Sequence, residues 1–392
     1  MNRLWQQLAI ATNWPVLAAA AVLSSLGIIS IWADSPAYGS KQLLFLAISV
    51  GVMAAVQGVN YLILGRWAWG LYALSLLLVF YTVLGGVAES HGHSLPGIHK
   101  TKGADCWIAF PGFSFEPSEL MKIAFVMVLA RYLRFRSNYR TLSGLLPPFG
   151  LALAPVILIL KQPDLGVAAL FIPALFAMLF VAGAKLRHLL AIVAMGVVLA
   201  PILWLSGQKD VPFFSHLPTF VQPYQRDRVR GIFSKDPQTL RQAGYQQDRA
   251  LTASGSAGVA GKGLGVIPVG RGVPEAHDDM IFALIAEQFG LIGSLAVLAA
   301  YVVLFAAGIE IASRTREPFG RLVAAGIVAF LATQSILNLM VVMRLFPVTG
   351  VTLPFVSYGG SSLAASYIAA GLLLNIGQNR PLVLAQNIFE FD

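Results

Sequence analysis

The segment DLGVAALFIPALFAMLFVAGAKLRHLLAIVAMGVVLAPILWL (164–205) decides the fold class. It is two apolar runs, 164–183 and 187–205, on either side of a short basic turn that holds Lys185 and Arg187. Each run approaches the ~20 residues that an α-helix needs to cross the hydrocarbon of a bilayer. Outward from this pair the pattern repeats at 16–33, 42–62, 68–88, 117–134, 146–160, 280–309, 321–346 and 362–378. Composition agrees. Charged residues are 11% of the 392, against about 25% in a soluble domain. Hydrophobic residues are 57% and mean hydropathy is +0.73, more than a water-soluble core of this size could hide. A soluble enzyme, a disordered chain and a disulfide scaffold are excluded. The sequence predicts an all-α polytopic membrane protein with about ten transmembrane helices. It forms one integral membrane domain over 1–392, with one large extracytoplasmic loop at about 206–279.

The net charge of +9 reads as topology rather than as nucleic-acid affinity, because basic residues collect on the cytoplasmic side of membranes. With the N-terminus inside, the inner turns carry Arg66, Arg131–Arg140, Lys185, Arg187 and Arg314–Arg321. The short outer segments carry Lys41, Lys100, Lys102 and Lys161. This predicts both termini on the cytoplasmic side of the membrane and the long loop outside. The run Val16–Trp32 lacks a clean cleavage site and reads as the first span. The single cysteine, Cys106, allows no intramolecular disulfide and no zinc cluster of the Cys type.

Three helix-breaking stretches fall on the outer side: FSFEPSEL (113–120), KQPDLG (161–166) and PVTGVTLPFVSYGGSS (347–362). Irregular backbone at membrane depth survives only where protein or a water-filled cavity satisfies its polar groups, so the three predict a shared outward-facing cavity. The densest acidic cluster, PEAHDDMIF (274–282), lies where the loop meets the eighth span. Asp279 there can act as a general base raised by partial desolvation and by Asp278, or as a helix cap. Glu119 and Lys122, three apart, share a helix face. They read as functional intramembrane charges or as a structural ion pair. Asp164 has a site reading and an N-cap reading. The loop arginines suit phosphate or a solvated, headgroup-facing surface. GSAGVAGKGLG (255–265) is no P-loop, because Ser256 occupies the first glycine position and Gly263 follows Lys262 where Ser or Thr is needed. It reads as a flexible or re-entrant turn. His91, His93 and His99 share one outer loop, which without a second shell is weak ground for a metal site.

Together, KQPDLG, PYQRDRV (223–229), GYQ (244–246), SGSAGVAGKG (254–263), PEAHDDMIFALIAEQFG (274–290), QSILN (334–338) and PVTGVTLPFVSYGGSS resemble, in order, the motifs of the SEDS family (RodA, FtsW, SpoVE). The PVTG stretch and Ala286 lean toward the RodA branch. The resemblance implies ten transmembrane helices and a peptidoglycan glycosyltransferase that polymerises lipid II during cell-wall elongation and shape maintenance. It also implies a class B penicillin-binding protein as crosslinking partner, alongside undecaprenyl-pyrophosphate-linked glycan and membrane lipids. It carries the catalytic role onto Asp279, and substrate binding onto Glu119, Lys122, Asp164, Arg228, Arg249, Lys262 and Ser357. No cofactor is obligatory. A divalent cation (Mg or Mn) would travel with the pyrophosphate. The chain departs from the family pattern at Cys106, Glu116, Asp278, Met280, Arg249–Ala250, Gln288 and Arg344. The alternatives are a lipid II flippase or transporter, a division polymerase of the FtsW kind, and a catalytically idle scaffold.

Overall fold

A computed structural model describes residues 14–93, 95–98, 106–110, 113–206, 226, 229 and 244–378. The described helices are α1 (Trp14–Asp34), α2 (Pro36–Gly58), α3 (Tyr61–Arg66), α4 (Ala68–Ser90), α5 (Pro117–Arg134), α6 (Leu146–Lys161), α7 (Leu165–Ala182), α8 (Leu186–Leu205), α9 (Tyr245–Gly255), α10 (Ile281–Arg314), α11 (Pro318–Val342) and α12 (Gly360–Gln378). One small hairpin, β1 (Ile108–Phe110) and β2 (Phe113–Phe115), pairs antiparallel with Ile108 opposite Phe115.

Among the described residues, 9 helices are long and apolar enough to cross a membrane. The remaining predicted span, α5, is a helix over its full expected length but falls short in hydropathy, because it carries Glu119, Lys122, Arg131 and Arg134. It is nonetheless the most enclosed element at the centre, buried from Pro117 through Ala130 except at Leu120, with α4, α6, α7, α11 and α12 around it. Ionisable side chains in a span are tolerated where they face protein instead of lipid. The other extreme is α8, where only Leu189 is buried. Its apolar surface is of the kind that lipid covers. The main packing pairs are α12 on α2, α10 on α1 and α11 on α7 and α10.

Several boundaries differ from the hydropathy reading. α2 begins at Pro36, six residues before the expected start, because proline at the first turn launches the helix through the polar PAYGSK stretch. It stops at Gly58 because Asn375 of α12 takes over its end. The Asn375 Nδ2 donates to the carbonyls of Val56 (2.8 Å) and Val59, and its Oδ1 accepts from Tyr61 N (3.1 Å). α11 ends at Val342 rather than 346.

The expected eighth span is two helices joined at Gly290, whose φ of 65° and ψ of −154° break α10. The 258–263 backbone docks into that break. Gly258 O accepts from Leu291 N (3.0 Å) and Val259 O from Ile292 N (3.2 Å), while Lys262 N donates to Glu287 O (2.9 Å) and Gly263 N to Gln288 O (3.1 Å). The expected flexible turn is therefore hydrogen-bonded along a helix break. A Cβ at Gly290 would collide with the backbone of Val259 and Gly261.

The two ends of the bundle differ in charge. At one end Arg131 donates to Gly65 O (3.0 Å) and Arg134 pairs with Glu317 (3.1 Å). At the other end the three helix-breaking stretches gather. Gly290→Ala is expected to destabilise the protein by more than 1 kcal/mol, since this backbone region is essentially restricted to glycine. A melting curve in detergent that matches the wild type would contradict the role given to this break.

Candidate functional site

Asp279 lies one residue before the N-cap of α10 and is buried, with 9% of its surface exposed. The backbone that carries it is fixed carbonyl by carbonyl. His277 O accepts from Tyr358 N (2.9 Å), Asp278 O from the Ser357 hydroxyl, and Asp279 O from Asn338 Nδ2 (2.7 Å). Ser357 Oγ in turn accepts from Leu353 N (2.7 Å). Gln42 of α2 holds the same segment, donating to Ser357 O (3.0 Å) and accepting from Gly359 N (3.2 Å). Three consecutive carbonyls are thus tied to the 347–359 segment and α11, while the Asp279 carboxylate is approached from the loop side. Gln246 Nε2 donates to Asp279 Oδ1 (3.2 Å) and to Pro274 O (3.0 Å).

The N-terminus of α9 is moored by successive side chains. Gln247, buried, donates to Val341 O (2.8 Å) and Phe346 O (2.7 Å). Asp248 pairs with Arg344 (3.2 Å), which sits in the left-handed region at φ 58°. Arg249 lies over the Tyr245 ring at 5.2 Å. Beside Asp279, Tyr38 stacks on His277 (centroids 4.5 Å) and Tyr358 meets both edge-on. The His277 Nε2 is 3.6 Å from Asp278 Oδ1.

The Glu119–Lys122 pair is formed at 2.9 Å and both side chains are buried. Lys122 also donates to Gln334 Oε1 (2.8 Å). Asp164 caps α7, accepting from Val167 N at 2.9 Å. Glu116 N donates to Ser361 Oγ (3.1 Å) at the start of α12, and the Ser118 hydroxyl donates to the Glu116 carboxyl. Burial, then the charges of Glu119 and Asp164, push Glu116 up to about 8. Of these groups, Glu119 and Ser361 line an apolar cavity of about 570 Å³ between α2, the hairpin, α5 and α12, together with Phe45, Ile48 and Phe113 among others. The cavity expected to be shared by three broken stretches is lined by two of them, through Phe113–Leu120 and Gly360–Ser361, and by no residue of 161–166.

Lys262 pairs with the fully buried Glu287 at 2.6 Å and donates to Ser256 Oγ (2.7 Å). Glu287 also accepts from Val269 N (3.1 Å) and Gly270 N (2.7 Å). Lys262 therefore anchors the 256–270 segment to α10. Arg228 and His99 lie outside the described residues. The His91 ring approaches Val87 O at 2.9 Å at the end of α4. Among the described residues no three His, Cys, Asp or Glu side chains come together to hold a metal ion.

The structure brings Asp279 and Ser357 together on one backbone network and pairs Lys122 with Glu119, which lines the cavity, while Asp164 serves as the cap of α7. It adds Gln42, Gln246, Gln334 and Asn338, amides that the sequence reading passes over. For Gln246, Gln334 and Asn338 the signal lies in the motifs GYQ and QSILN, whereas Gln42 stands in no motif.

Lys262→Met should cost on the order of 3 kcal/mol, since it leaves the buried Glu287 carboxylate without its cation. An unchanged melting temperature would contradict the anchoring role. Between its ordinary value of 4.5 and about 8 the folded state holds one more proton at Glu116 than the unfolded chain does. Stability from this group therefore falls as pH rises through that window. Melting curves from pH 5 to 9 should show Glu116→Gln declining less steeply than the wild type, and parallel slopes would refute this.

The sequence profile of the family described as "Cell cycle protein", which groups FtsW, RodA and SpoVE, matches residues 6–381. Stage V sporulation protein E of Bacillus subtilis is 33% identical over 358 residues, covering 89% of this chain and 90% of that protein. Peptidoglycan glycosyltransferase MrdB of Escherichia coli is 31% identical over 375 residues, covering 94% and 93%. Among solved structures, a chain from "Structural coordination of polymerization and crosslinking by a peptidoglycan synthase complex" superposes with a TM-score of 0.77 at 27% identity, covering 95% of this chain and 100% of that one. A variant of the rod shape determining protein RodA of Thermus thermophilus superposes at 0.67 and 25% identity, covering 95% and 99%. With a polytopic all-α fold and family motifs from KQPDLG to PVTGVTLPFVSYGGSS, this chain belongs to the FtsW/RodA/SpoVE (SEDS) family.

Proposed function

We propose that this chain is a peptidoglycan glycosyltransferase that polymerises lipid II on the outer face of the bacterial cytoplasmic membrane, with Asp279 as general base. The observation that carries the reading is the position of Asp279. Its backbone is pinned at three carbonyls while its carboxylate accepts from the neutral side-chain amide of Gln246 in the loop. A carboxylate held this way can accept a proton from an attacking sugar hydroxyl, a contribution of about 10² to 10⁴ in rate. The remaining acceleration comes from positioning and from cationic stabilisation of the departing pyrophosphate.

In the proposed reaction the acceptor hydroxyl of lipid II attacks the anomeric carbon of the lipid-linked glycan. Its proton passes to Asp279 and undecaprenyl pyrophosphate leaves with inversion. Arg249 on α9, and Arg228 in the same loop, are the proposed cations for the pyrophosphate. A divalent ion would arrive with the substrate. The apolar cavity beside Glu119 and Ser361 has room for part of a polyprenyl tail, which keeps the lipid in the bilayer while the sugar reaches Asp279. A class B penicillin-binding protein is the proposed crosslinking partner, and elongation the proposed setting, on the RodA-like PVTG and Ala286.

A transporter would need its charged groups near the membrane midplane with access from both sides. Here Asp279, Arg249 and Lys262 gather at one end of the bundle. The test is lipid II polymerisation by the purified complex. Asp279→Asn should abolish glycan ladders while the complex still assembles. Ladders from that variant would remove Asp279 as base, and lipid II movement in vesicles without ladders from the wild type would favour a flippase.

A further inference from the structure

We infer that Gln334 and Asn338 are positioning residues for glycosyl transfer: two amides one turn apart on α11 that lock Asp279 and the 347–359 segment into one unit. This rests on the reading of Asp279 as the base. A spacing of four puts the two side chains on the same helix face, and both are buried, with 3% and 1% of their surfaces exposed. Asn338 Nδ2 donates to Asp279 O and to Val351 O, each at 2.7 Å. Both hydrogens of one nitrogen are therefore used on carbonyls from two separate segments. Gln334 Nε2 donates to the next carbonyl along, Thr352 O (2.9 Å), and to its hydroxyl (3.2 Å). Its Oε1 accepts from Lys122.

Consecutive carbonyls, 351 and 352, are thus held by residues 338 and 334, which fixes the register of an irregular segment against a regular helix. A carboxamide suits this task because one uncharged nitrogen supplies two donors, whereas a carboxylate of the same shape supplies none when ionised. Neither amide contacts the Asp279 carboxylate in this structure. Asn338 acts on it through the backbone, by setting where its Cα stands. Gln334 joins that arrangement to the Glu119–Lys122 pair at the cavity wall.

The test measures lipid II polymerisation by the full chain in complex with its transpeptidase. The variants are Asn338→Asp, Asn338→His, Gln334→Glu and Asp279→Asn, with Ser75→Ala as control. Ser75 is buried on α4 and donates back to Leu71 O, so its variant should match the wild type. Asn338→Asp should lower kcat by about 10²-fold, the cost of a misplaced reacting group, with KM for lipid II and complex assembly unchanged. Asn338→His, which retains a donor, should recover part of that loss. Gln334→Glu keeps the acceptor for Lys122 and should show a smaller loss in kcat. Wild-type kcat in the Asn338 and Gln334 variants, or a loss that tracks KM or folded yield, would overturn the inference. Should Asn338→Asp be recovered unfolded, Asn338→His and Gln334→Glu decide on the same kcat criterion. An active Asp279→Asn would remove the base and this inference together. An inactive Asp279→Asn beside fully active amide variants would remove this inference alone.

Discussion

Backbone that leaves the helix inside a membrane protein must still satisfy its carbonyls and amides, and in this protein side-chain amides, a serine hydroxyl and the backbone of a second irregular segment share that task. The 347–359 segment and the 277–279 tripeptide are both irregular, and each supplies part of what the other lacks. Tyr358 N and Ser357 Oγ serve the first two carbonyls of the tripeptide, and Asn338 serves the third together with Val351. Unsatisfied polar groups in hydrocarbon cost several kcal/mol each, so neither segment is stable without the other. The start of α10 and the mooring of α9 next to Asp279 sit on that mutual dependence.

The arrangement also concentrates electrostatics at one end of the bundle. α5, α7, α10 and α12 all begin there, at Pro117, Leu165, Ile281 and Gly360. Helix N-termini carry partial positive charge, which offsets the gathering of Glu116, Glu119, Asp164 and Asp279. The opposite end holds Arg131, Arg134 and the Glu317 partner.

Hydropathy made the spans legible because it responds to side chains that meet lipid. α8, almost wholly exposed along its length, is the purest example. α5 was legible for another reason: Pro117 marked its start, although four charges depress its hydropathy. What hydropathy could not carry was the detail set by tertiary partners. The end of α2 depends on Asn375, more than 300 residues away. The break at Gly290 depends on a loop that inserts against it. In the site, acidic residues stand out in an apolar chain, so Asp279, Glu119 and Asp164 are readable. Amides do not stand out, and Gln246, Gln334 and Asn338 acquire their roles only through carbonyls distant in sequence.

The most direct measurement of the central claim is hydrogen–deuterium exchange of the protein in lipid nanodiscs, read on peptides covering 351–360. If the carbonyl network holds these two irregular segments together, the amides of Leu353 and Tyr358, which donate to Ser357 Oγ and His277 O, will exchange as slowly as those of the flanking helices. Exchange on the timescale of an open loop would contradict it.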